Sequence, residues 1–369
     1  MCSDSSTIIA PDVEYSFNLA KNSYYWGNML KNVLSATVLD DYTISFNLEF
    51  KDVYVLGKLV FPIVKFGTAN GRESVPVGSG EYAFAEDKLV NRIVADETIY
   101  LAEISDHSSS QDAFNIGMTD VFFSDLSNCD YSVTTGKVDK MTLCNMVYIG
   151  INESNGALDK YVRNAIAVKL DTDNMALSAY QGHAIGNKLP VSPDSILFNE
   201  ITKVESTGNK KLADDIIDRC GYTKYSNGAK TNGTYTLSFS LIVNIENQYR
   251  VAAAYHIADS LKESGIKIRV QVLTFDEYSK RISSGDYDMY LGEIKLDGSM
   301  DISPFFTSGT SFSSGIDTTQ RVATEYFKYR AGEITSAEYY ATFVEFYPFI
   351  PVAFRTGYAV TSNDVDNSL

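Results

Sequence analysis

Residues 234–291 alternate between a strand pattern and a helix pattern, and this alternation constrains the fold more than any other feature. Three strands are predicted, at Thr234–Val243, Lys267–Phe275 and Tyr287–Leu291. A helix at Gln248–Ser264 joins the first two, and a short helix capped by Asp276 joins the next two. Strands joined by helical crossovers pair in parallel, so this segment predicts an open α/β sheet.

Polar side chains follow the first and the third of these strands. Sheets of this kind bind ligands beyond the carboxyl ends of their strands, and carboxylates and amides there suit a polar ligand, above all a protonated amine. For Asn247 and Asp276 the alternative role is helix capping, and for the acidic residues it is an ordinary solvated surface. The candidate ligand residues are Asn244, Glu246 and Asn247 after the first strand, and Glu293, Asp297 and Asp301 after the third.

The rest of the chain divides into a β-rich first third and a helical part. A helix is predicted at Asp12–Lys21, and a hairpin follows whose second strand, Ile44–Phe50, alternates apolar and polar residues. The later predicted elements are a helix at Lys210–Cys220, a helix from a cap at Asp317 to Arg330, a helix at Ser336–Phe346 with a Thr335–Glu338 capping box, and a closing strand at Phe349–Tyr358.

The chain is acidic, with 31 basic residues against 47 acidic ones and a formal net charge of −16. Nucleic-acid binding needs a clustered excess of Lys and Arg, and anionic membrane surfaces attract basic segments. We therefore expect neither of these as a partner. The charge is compatible with a neutral or cationic small ligand.

Motifs that carry catalysis or hold a metal are missing from the sequence. Its 3 histidines and 4 cysteines have no metal-ligand spacing, and it has no glycine-rich phosphate loop and no nucleophile elbow. We expect neither enzyme activity nor a cofactor. Cys129 and Cys144 either close one disulfide or remain thiols. No apolar run is long enough for a transmembrane helix, and no signal peptide stands at Met1, so an exported form would have lost its targeting segment.

Short motifs occur in a recognisable order along the chain. They are Ala10–Phe17, Val38–Ile44, Pro76–Tyr82, Tyr148–Asn152 with Val162–Ala165, and Leu261–Ile266 with Tyr278 and Gly285–Asp288. In this order they resemble the extracellular solute-binding proteins of bacterial ABC importers, family 5, the peptide class. Two features depart from the family pattern. The chain starts partway into it, and the loop at residues 244–246 lacks the Arg and the aromatic residue with which many members hold a peptide.

The resemblance implies a two-lobed, periplasmic-binding-protein-like clamshell of the α/β class, with mixed sheets and flanking helices. The first lobe would comprise residues 1–147 and 350–369, and the second residues 148–349. Such a protein binds peptides or another small polar solute between its lobes and delivers it to a membrane permease. It would be a monomer, extracellular or periplasmic, and anchored as a lipoprotein in its full-length form.

The resemblance also bears on individual site residues. It adds Tyr148 and Asn152 to the candidate ligand residues, and it matches the acidic residue that meets a peptide amine best with Asp297, and next with Asp301. An alternative function remains: a non-transport sensor or interaction protein on the same scaffold, without a complete binding cleft. The two functions differ in whether a small ligand stabilises the protein.

Overall fold

The computed structural model describes residues 1–69, 71, 75–85, 88–94, 97–104, 106–127, 135–201, 206–363 and 365. The chain divides into a smaller unit, Met1–Ser110, and a larger unit, Gln111–Leu369. The predicted lobe boundaries, after residues 147 and 349, fall inside two long strands of the larger unit. The division into two lobes at these boundaries stays a prediction.

The smaller unit packs one helix against an antiparallel hairpin. Its elements are α1 (Ala10–Lys21), β1 (Val33–Asp40), β2 (Thr43–Leu48), a short 3-10 helix (Val55–Lys58), β3 (Tyr82–Ala85), β4 (Lys88–Asn91) and β5 (Thr98–Tyr100). The predicted hairpin is confirmed, because β1 pairs with β2. Phe17, Leu30, Val33 and Phe61 are buried between α1 and this hairpin. The strands β3, β4 and β5 form a second antiparallel sheet.

The strands of the larger unit belong to one large mixed sheet and one small hairpin. They are β6 (Val121–Ser124), β7 (Lys137–Ile151), β8 (Ala184–Gly186), β9 (Lys224–Ser226), β10 (Ala229–Thr231), β11 (Ser238–Asn244), β12 (Lys267–Leu273), β13 (Met289–Lys295) and β14 (Phe349–Thr361). The sheet has 7 strands in the order β12-β11-β13-β7-β14-β6, with β8 paired to β14. The strands β9 and β10 form the separate hairpin.

Several helices of the remaining chain begin at side-chain caps, such as Asp159, Asn209 and Thr335. The helices are α2 (His107–Asn115), α3 (Lys160–Lys169), α4 (Thr172–Ser178), a 3-10 helix (Ile196–Glu200), α5 (Lys210–Arg219), α6 (Gln248–Lys262), α7 (Phe275–Ser284), α8 (Ser303–Phe306), α9 (Arg321–Arg330) and α10 (Ser336–Phe346). The predicted Thr335–Glu338 capping box at α10 is confirmed. In the described part of the chain, no helix combines the length and the apolar character that crossing a membrane demands.

The three strands predicted from the alternating pattern are neighbours in the sheet and run parallel. β11 pairs with β12 from Ser238–Lys267 to Asn244–Leu273, and with β13 on its other side. The first predicted strand begins too early, because Asn232 Oδ1 accepts the N–H groups of Thr234 at 3.0 Å and Tyr235 at 2.8 Å. This turn holds the chain until the strand starts at Ser238.

Two predicted helix caps are wrong. The cap of α7 is Thr274, whose extended backbone lets its hydroxyl accept the Glu277 N–H, and Asp276 lies inside the first turn. Helix α9 starts at Arg321, after Gln320. Asp317 instead accepts the Thr319 N–H at 3.0 Å and closes a turn before the helix. In both places the capping position is set by the backbone conformation of another residue.

Candidate functional site

The carboxyl ends of β11, β12 and β13 meet at one edge of the sheet because the three strands are parallel. β7 runs antiparallel to β13 and brings Asn145 opposite Lys295 at the same edge. Side chains from distant parts of the chain therefore meet the loops that the sequence singles out. The strand-end cluster is defined by six residues: Asn145, Asn244, Glu246, Arg250, Glu293 and Arg355.

Asn244 and Glu246 form the first part of this cluster. The Asn244 amide donates from Nδ2 to one Glu246 carboxylate oxygen at 3.0 Å, and the other oxygen accepts the Phe275 N–H at 2.9 Å. That backbone hydrogen bond is the main reason why the pKa of Glu246 is lowered. Asn244 is only 3% exposed, and its Oδ1 accepts no hydrogen bond from any residue that the structure describes.

Glu293 joins the second part of the cluster. One of its carboxylate oxygens accepts from Asn145 Nδ2 at 2.8 Å and from Arg355 Nη1 at 2.8 Å. The side chains are 11% exposed for Glu293 and 4% for Arg355. Burial disfavours the Arg355 charge, but the Glu293 carboxylate outweighs this and raises the pKa of Arg355. Arg355 also donates to the Asp125 carbonyl.

Arg250 lies beside Glu293. Its Nε is 3.9 Å from the second Glu293 oxygen, and its charge contributes to the lowered pKa of Glu246. The Arg250 side chain is only 17% exposed, yet no described residue forms a hydrogen bond with its guanidinium. The cluster thus contains one buried donor atom, Arg250 Nε, and one buried acceptor atom, Asn244 Oδ1, that no described residue hydrogen-bonds.

Sequence reasoning missed Asn145, Arg250 and Arg355. Arg250 carries one signal that could have found it, since it lies in the first turn of α6, where the helix dipole disfavours a cation. A residue that breaks a local rule often serves a function. Asn145 and Arg355 carry no comparable signal, because they reach Glu293 only through the pairing of β7 with β13 and of β14 with β7.

Three other candidate residues have their polar atoms engaged nearby. Asn247 caps α6 by accepting the Arg250 N–H at 2.9 Å. One Asp297 oxygen accepts both the N–H and the hydroxyl of Ser299, at 2.9 and 2.7 Å. Asp301 accepts the Tyr326 hydroxyl at 2.7 Å. The Asp301 contact fastens the loop after β13 to α9, and each of the three residues thus has a structural role.

Tyr148 and Asn152 have hydrogen-bond partners of their own. The Tyr148 hydroxyl is 3.3 Å from that of Tyr290, and burial raises the pKa of Tyr148 well above its ordinary value. Asn152 donates to the carbonyl oxygens of Gly285 and Tyr287, just before β13 begins. Asn152 is therefore at the opposite edge of the sheet from Asn244, and the structure does not bring the two together.

Two apolar side chains border the strand-end cluster. Ile245 follows Asn244 directly, and Phe275 is held by Glu246 through its N–H. Both side chains are about half exposed, at 49% and 57%. Exposed apolar surface beside unsatisfied polar groups suits a ligand with both characters, since apolar contact supplies binding energy and polar groups fix orientation.

A depression of about 440 Å³ lies near the other end of α6. It is lined by charged groups of both signs, among them Lys169, Asp171 and Glu263, and by His256. Lys169 is paired with Glu263 at 3.0 Å, and Asp171 caps α4. The His256 Nδ1 lies 3.2 Å from the Ser178 hydroxyl. The polar groups that line this depression are thus largely satisfied by other protein groups. The strand-end cluster is therefore the stronger candidate site.

The cysteines that the structure describes are free. Cys144 is a thiol whose pKa is raised by burial, and Cys129, its partner in the alternative of a disulfide, lies outside the described residues. Cys2 and Cys220 are also thiols. Across the described ranges, no three His, Cys, Asp or Glu side chains gather in a way that could hold a metal ion.

Comparison with solved structures identifies the fold. The nickel ABC transporter protein of Bacillus halodurans superposes with a TM-score of 0.77 at 16% identity, over 100% of this chain and 82% of that one. NikA of Brucella suis in complex with Fe(III)-EDTA gives 0.71 at 18% identity, over 99% and 82%. These matches confirm the predicted α/β fold of the periplasmic-binding-protein type.

Sequence comparison identifies the family. The oligopeptide-binding protein AppA of Bacillus subtilis is 23% identical over 326 residues, which is 77% of this chain and 59% of AppA. The chain thus spans less than two thirds of this curated relative. Residues 3–315 match the family described as bacterial extracellular solute-binding proteins, family 5 Middle. As its motif order suggests, the chain belongs to the bacterial extracellular solute-binding proteins of family 5.

Proposed function

We propose that this chain is the substrate-binding component of an ABC-type importer. It binds peptides or another small polar solute and delivers it to a membrane permease. One observation supports the proposal beyond family membership: two buried atoms of the strand-end cluster, Asn244 Oδ1 and Arg250 Nε, have no hydrogen-bond partner among the described residues. A buried polar group that the protein does not satisfy is costly unless something else satisfies it. A bound polar solute does so.

The relatives support this class of ligand. AppA of Bacillus subtilis has been solved with a nonapeptide, and its structure matches this chain with a TM-score of 0.60 at 18% identity. Other family structures hold metal chelates, such as Fe(III)-EDTA in NikA of Brucella suis. These ligands are all polar and carry several hydrogen-bonding groups. The cluster described above offers the same kind of contact.

In this proposal the ligand lies between two lobes, residues 1–147 with 350–369 and residues 148–349. Asn244 and Arg250 bind the ligand, and Ile245 and Phe275 contact its apolar part. Glu293 and Arg355 position Arg250 by holding the carboxylate beside it. The protein acts by binding and release, without a catalytic step or a cofactor.

The proposal also specifies the setting of the protein. It works outside the cell membrane, as the family description states for family 5. In its full-length form it is a monomer anchored as a lipoprotein and meets the permease of its own importer. Nucleic acid is not among its partners, because the acidic surface repels phosphate.

A thermal-shift screen tests the proposal. Purified protein is heated with pools of peptides, sugars, and nickel with chelating amino acids. A ligand at a hundredfold excess over its Kd stabilises the folded state by about 2.7 kcal/mol, which is readily measured. Isothermal titration with a hit should give one site per chain. If no pool raises the melting temperature, importer function is refuted and the interaction-protein alternative is favoured.

A further inference from the structure

The depression near the carboxyl-terminal end of α6 is bounded by two contacts between α6 and the chain around α4. At one end, Ser178, the last residue of α4, lies 3.2 Å from Nδ1 of His256. At the other end, Lys169 contacts the Ser260 hydroxyl at 3.2 Å and the Glu263 carboxylate at 3.0 Å. His256 and Glu263 are about 10 Å apart along the helix. With its volume of about 440 Å³, the depression has room for a small organic molecule.

The charges that line this depression do not balance. Lys169 is paired with Glu263, and Lys210 is paired with an aspartate of its own helix. Two further carboxylates of the lining, those of Asp171 and Asp259, have no basic partner among the described residues. The carbonyl ends of two helices add negative charge, because α3 ends at Lys169 and α6 ends just before Glu263. A cation is therefore the complementary ligand.

His256 adds a free acceptor to the lining. Burial lowers the pKa of His256, although the nearby carboxylates of Asp171 and Asp259 oppose this, so the ring is neutral near pH 7. The Ser178 hydroxyl donates its hydrogen to the Asn174 carbonyl at 2.7 Å, and it can therefore only accept from the ring. Nδ1 thus carries the proton, and Nε2 keeps a lone pair that no described residue engages. Asp259 follows three residues later on α6, so it is a neighbour of this ring on the helix surface.

This arrangement favours an ammonium group over a metal ion. Metal ions bind their ligand atoms at about 2.0–2.6 Å, and among the residues with described positions no three His, Cys, Asp or Glu side chains could do this together. An ammonium group has three N–H donors and binds acceptors at the longer distance of a hydrogen bond, about 2.9 Å. His256 Nε2 and the Asp259 carboxylate are two acceptors of this kind.

We infer that this depression is a second ligand site, which binds a short alkyl amine or diamine through a primary ammonium group that donates to His256 Nε2 and Asp259. The site is separate from the strand-end cluster, because Arg250 and Asp259 are about 13 Å apart along α6. The inference goes beyond the proposed function and does not rest on it, since an ammonium ion can bind here whether or not the protein serves an importer.

Three matched probes test the inference by isothermal titration calorimetry. They are 1,4-diaminobutane, its fully N-methylated quaternary analogue and 1,4-butanediol, each titrated at low salt because salt screens exposed charges. The quaternary analogue keeps both charges but has no N–H donor. We expect the diamine to bind at least about tenfold more tightly than this analogue, the scale for losing hydrogen bonds to a charged group. Butanediol carries no charge and should not bind measurably.

Variants assign the binding to the depression. Asp259→Asn and His256→Phe each remove one acceptor and should weaken diamine binding at least about fivefold. Asp139→Asn removes the same charge from an exposed position of β7 and should leave the affinity unchanged. A melting curve of each variant shows that it is folded.

The ¹⁵N resonances of the imidazole rings give a readout that a purely structural role would not move. In the free protein His256, assigned by comparison with His256→Phe, should show the Nδ1–H tautomer. Its Nε2 resonance should shift when the diamine is added, because the lone pair then accepts a hydrogen bond.

Three results would overturn the inference. The first is that the diamine gives no binding heat up to millimolar concentrations. The second is that the quaternary analogue binds as tightly as the diamine, because N–H donors are then not needed. The third is that folded Asp259→Asn and His256→Phe keep the full affinity, because the diamine is then bound elsewhere on the protein. Each of these results leaves the proposed importer function standing.

Discussion

Replacing Gly150 with Ala should destabilise the larger unit, because the added methyl group would overlap the Tyr290 ring. An ideal Cβ at Gly150 lies 2.0 Å from Tyr290 Cε1 and 2.1 Å from Cζ. Non-bonded carbons are attracted at about 3.5–4.0 Å, so the ring or the strand must move by well over 1 Å. Tyr290 is buried against the rings of Tyr148, Tyr278 and Tyr287, so it has little space for this movement.

The size of the effect follows from this enclosure. Inserting a methyl group into a well-packed core costs about 1–3 kcal/mol and occasionally more. We expect about 3 kcal/mol, since the clash involves an enclosed ring rather than the end of a flexible chain. The reduced freedom of the unfolded chain offsets about 0.4–1 kcal/mol of this. Differential scanning calorimetry is the suitable assay, because two units need not unfold in one transition.

Two further variants make the test decisive. A Cβ at Gly80 would have its nearest neighbour at 3.9 Å, so Gly80→Ala should change stability by less than about 0.5 kcal/mol. Adding Tyr290→Leu to Gly150→Ala should cost less than the sum of the two single changes, with a coupling of about 0.5–3 kcal/mol. If Gly150→Ala is as stable as Gly80→Ala, the ring does not cover Gly150 and the reasoning fails.

Two other predictions concern buried charges. Glu293→Gln leaves Arg355 without its carboxylate and should cost about 3–5 kcal/mol in urea unfolding. Asp215→Asn breaks only an exposed pair with Lys211 and should cost at most about 1 kcal/mol; equal costs would contradict the buried pairing. At Asp12, burial opposes ionisation, but hydrogen bonds from two N–H groups and from Lys65 outweigh it and lower the pKa below 3.8. The ionised Asp12 carboxylate therefore stabilises the folded state above pH 3.8, and this contribution is lost as the pH falls through the lowered pKa. We expect the melting temperature of the smaller unit to fall less steeply at acid pH in Asp12→Asn than in the unchanged protein.

The sheet of the larger unit was predictable where the pattern is local. Apolar residues recur every two positions in β11, every three or four positions in α6, and every two positions again in β12. This pattern alone predicts parallel pairing of the two strands. The start of β11 was not predictable in this way. Its limit depends on the Asn232 side chain, which competes with the sheet for the N–H groups of Thr234 and Tyr235.

The sequence predicts where the candidate site lies, but it does not predict which groups neutralise the carboxylates there. The sequence places Glu246 beyond the first strand, where the structure has it, but Asn244 is the last residue of β11, and Glu293 lies inside β13, which extends to Lys295. Their partners come from elsewhere: Arg355 is 62 positions from Glu293, and Asn145 is 148 positions away. No local pattern reveals that such distant groups engage a carboxylate. An acid that looks available for a ligand in the sequence can therefore be fully used within the fold.

The position of β14 beside β7 has a consequence for how the chain acquires its structure. Phe349 pairs with Gly150. The strand β7, near the middle of the chain, can therefore complete its pairing only after β14 has been synthesised. Contacts between such distant residues are slow to form because a long loop must close first. Until then, the side of β7 that β14 will occupy presents unpaired backbone groups. We expect the larger unit to fold late and slowly, with a transient need for protection from aggregation.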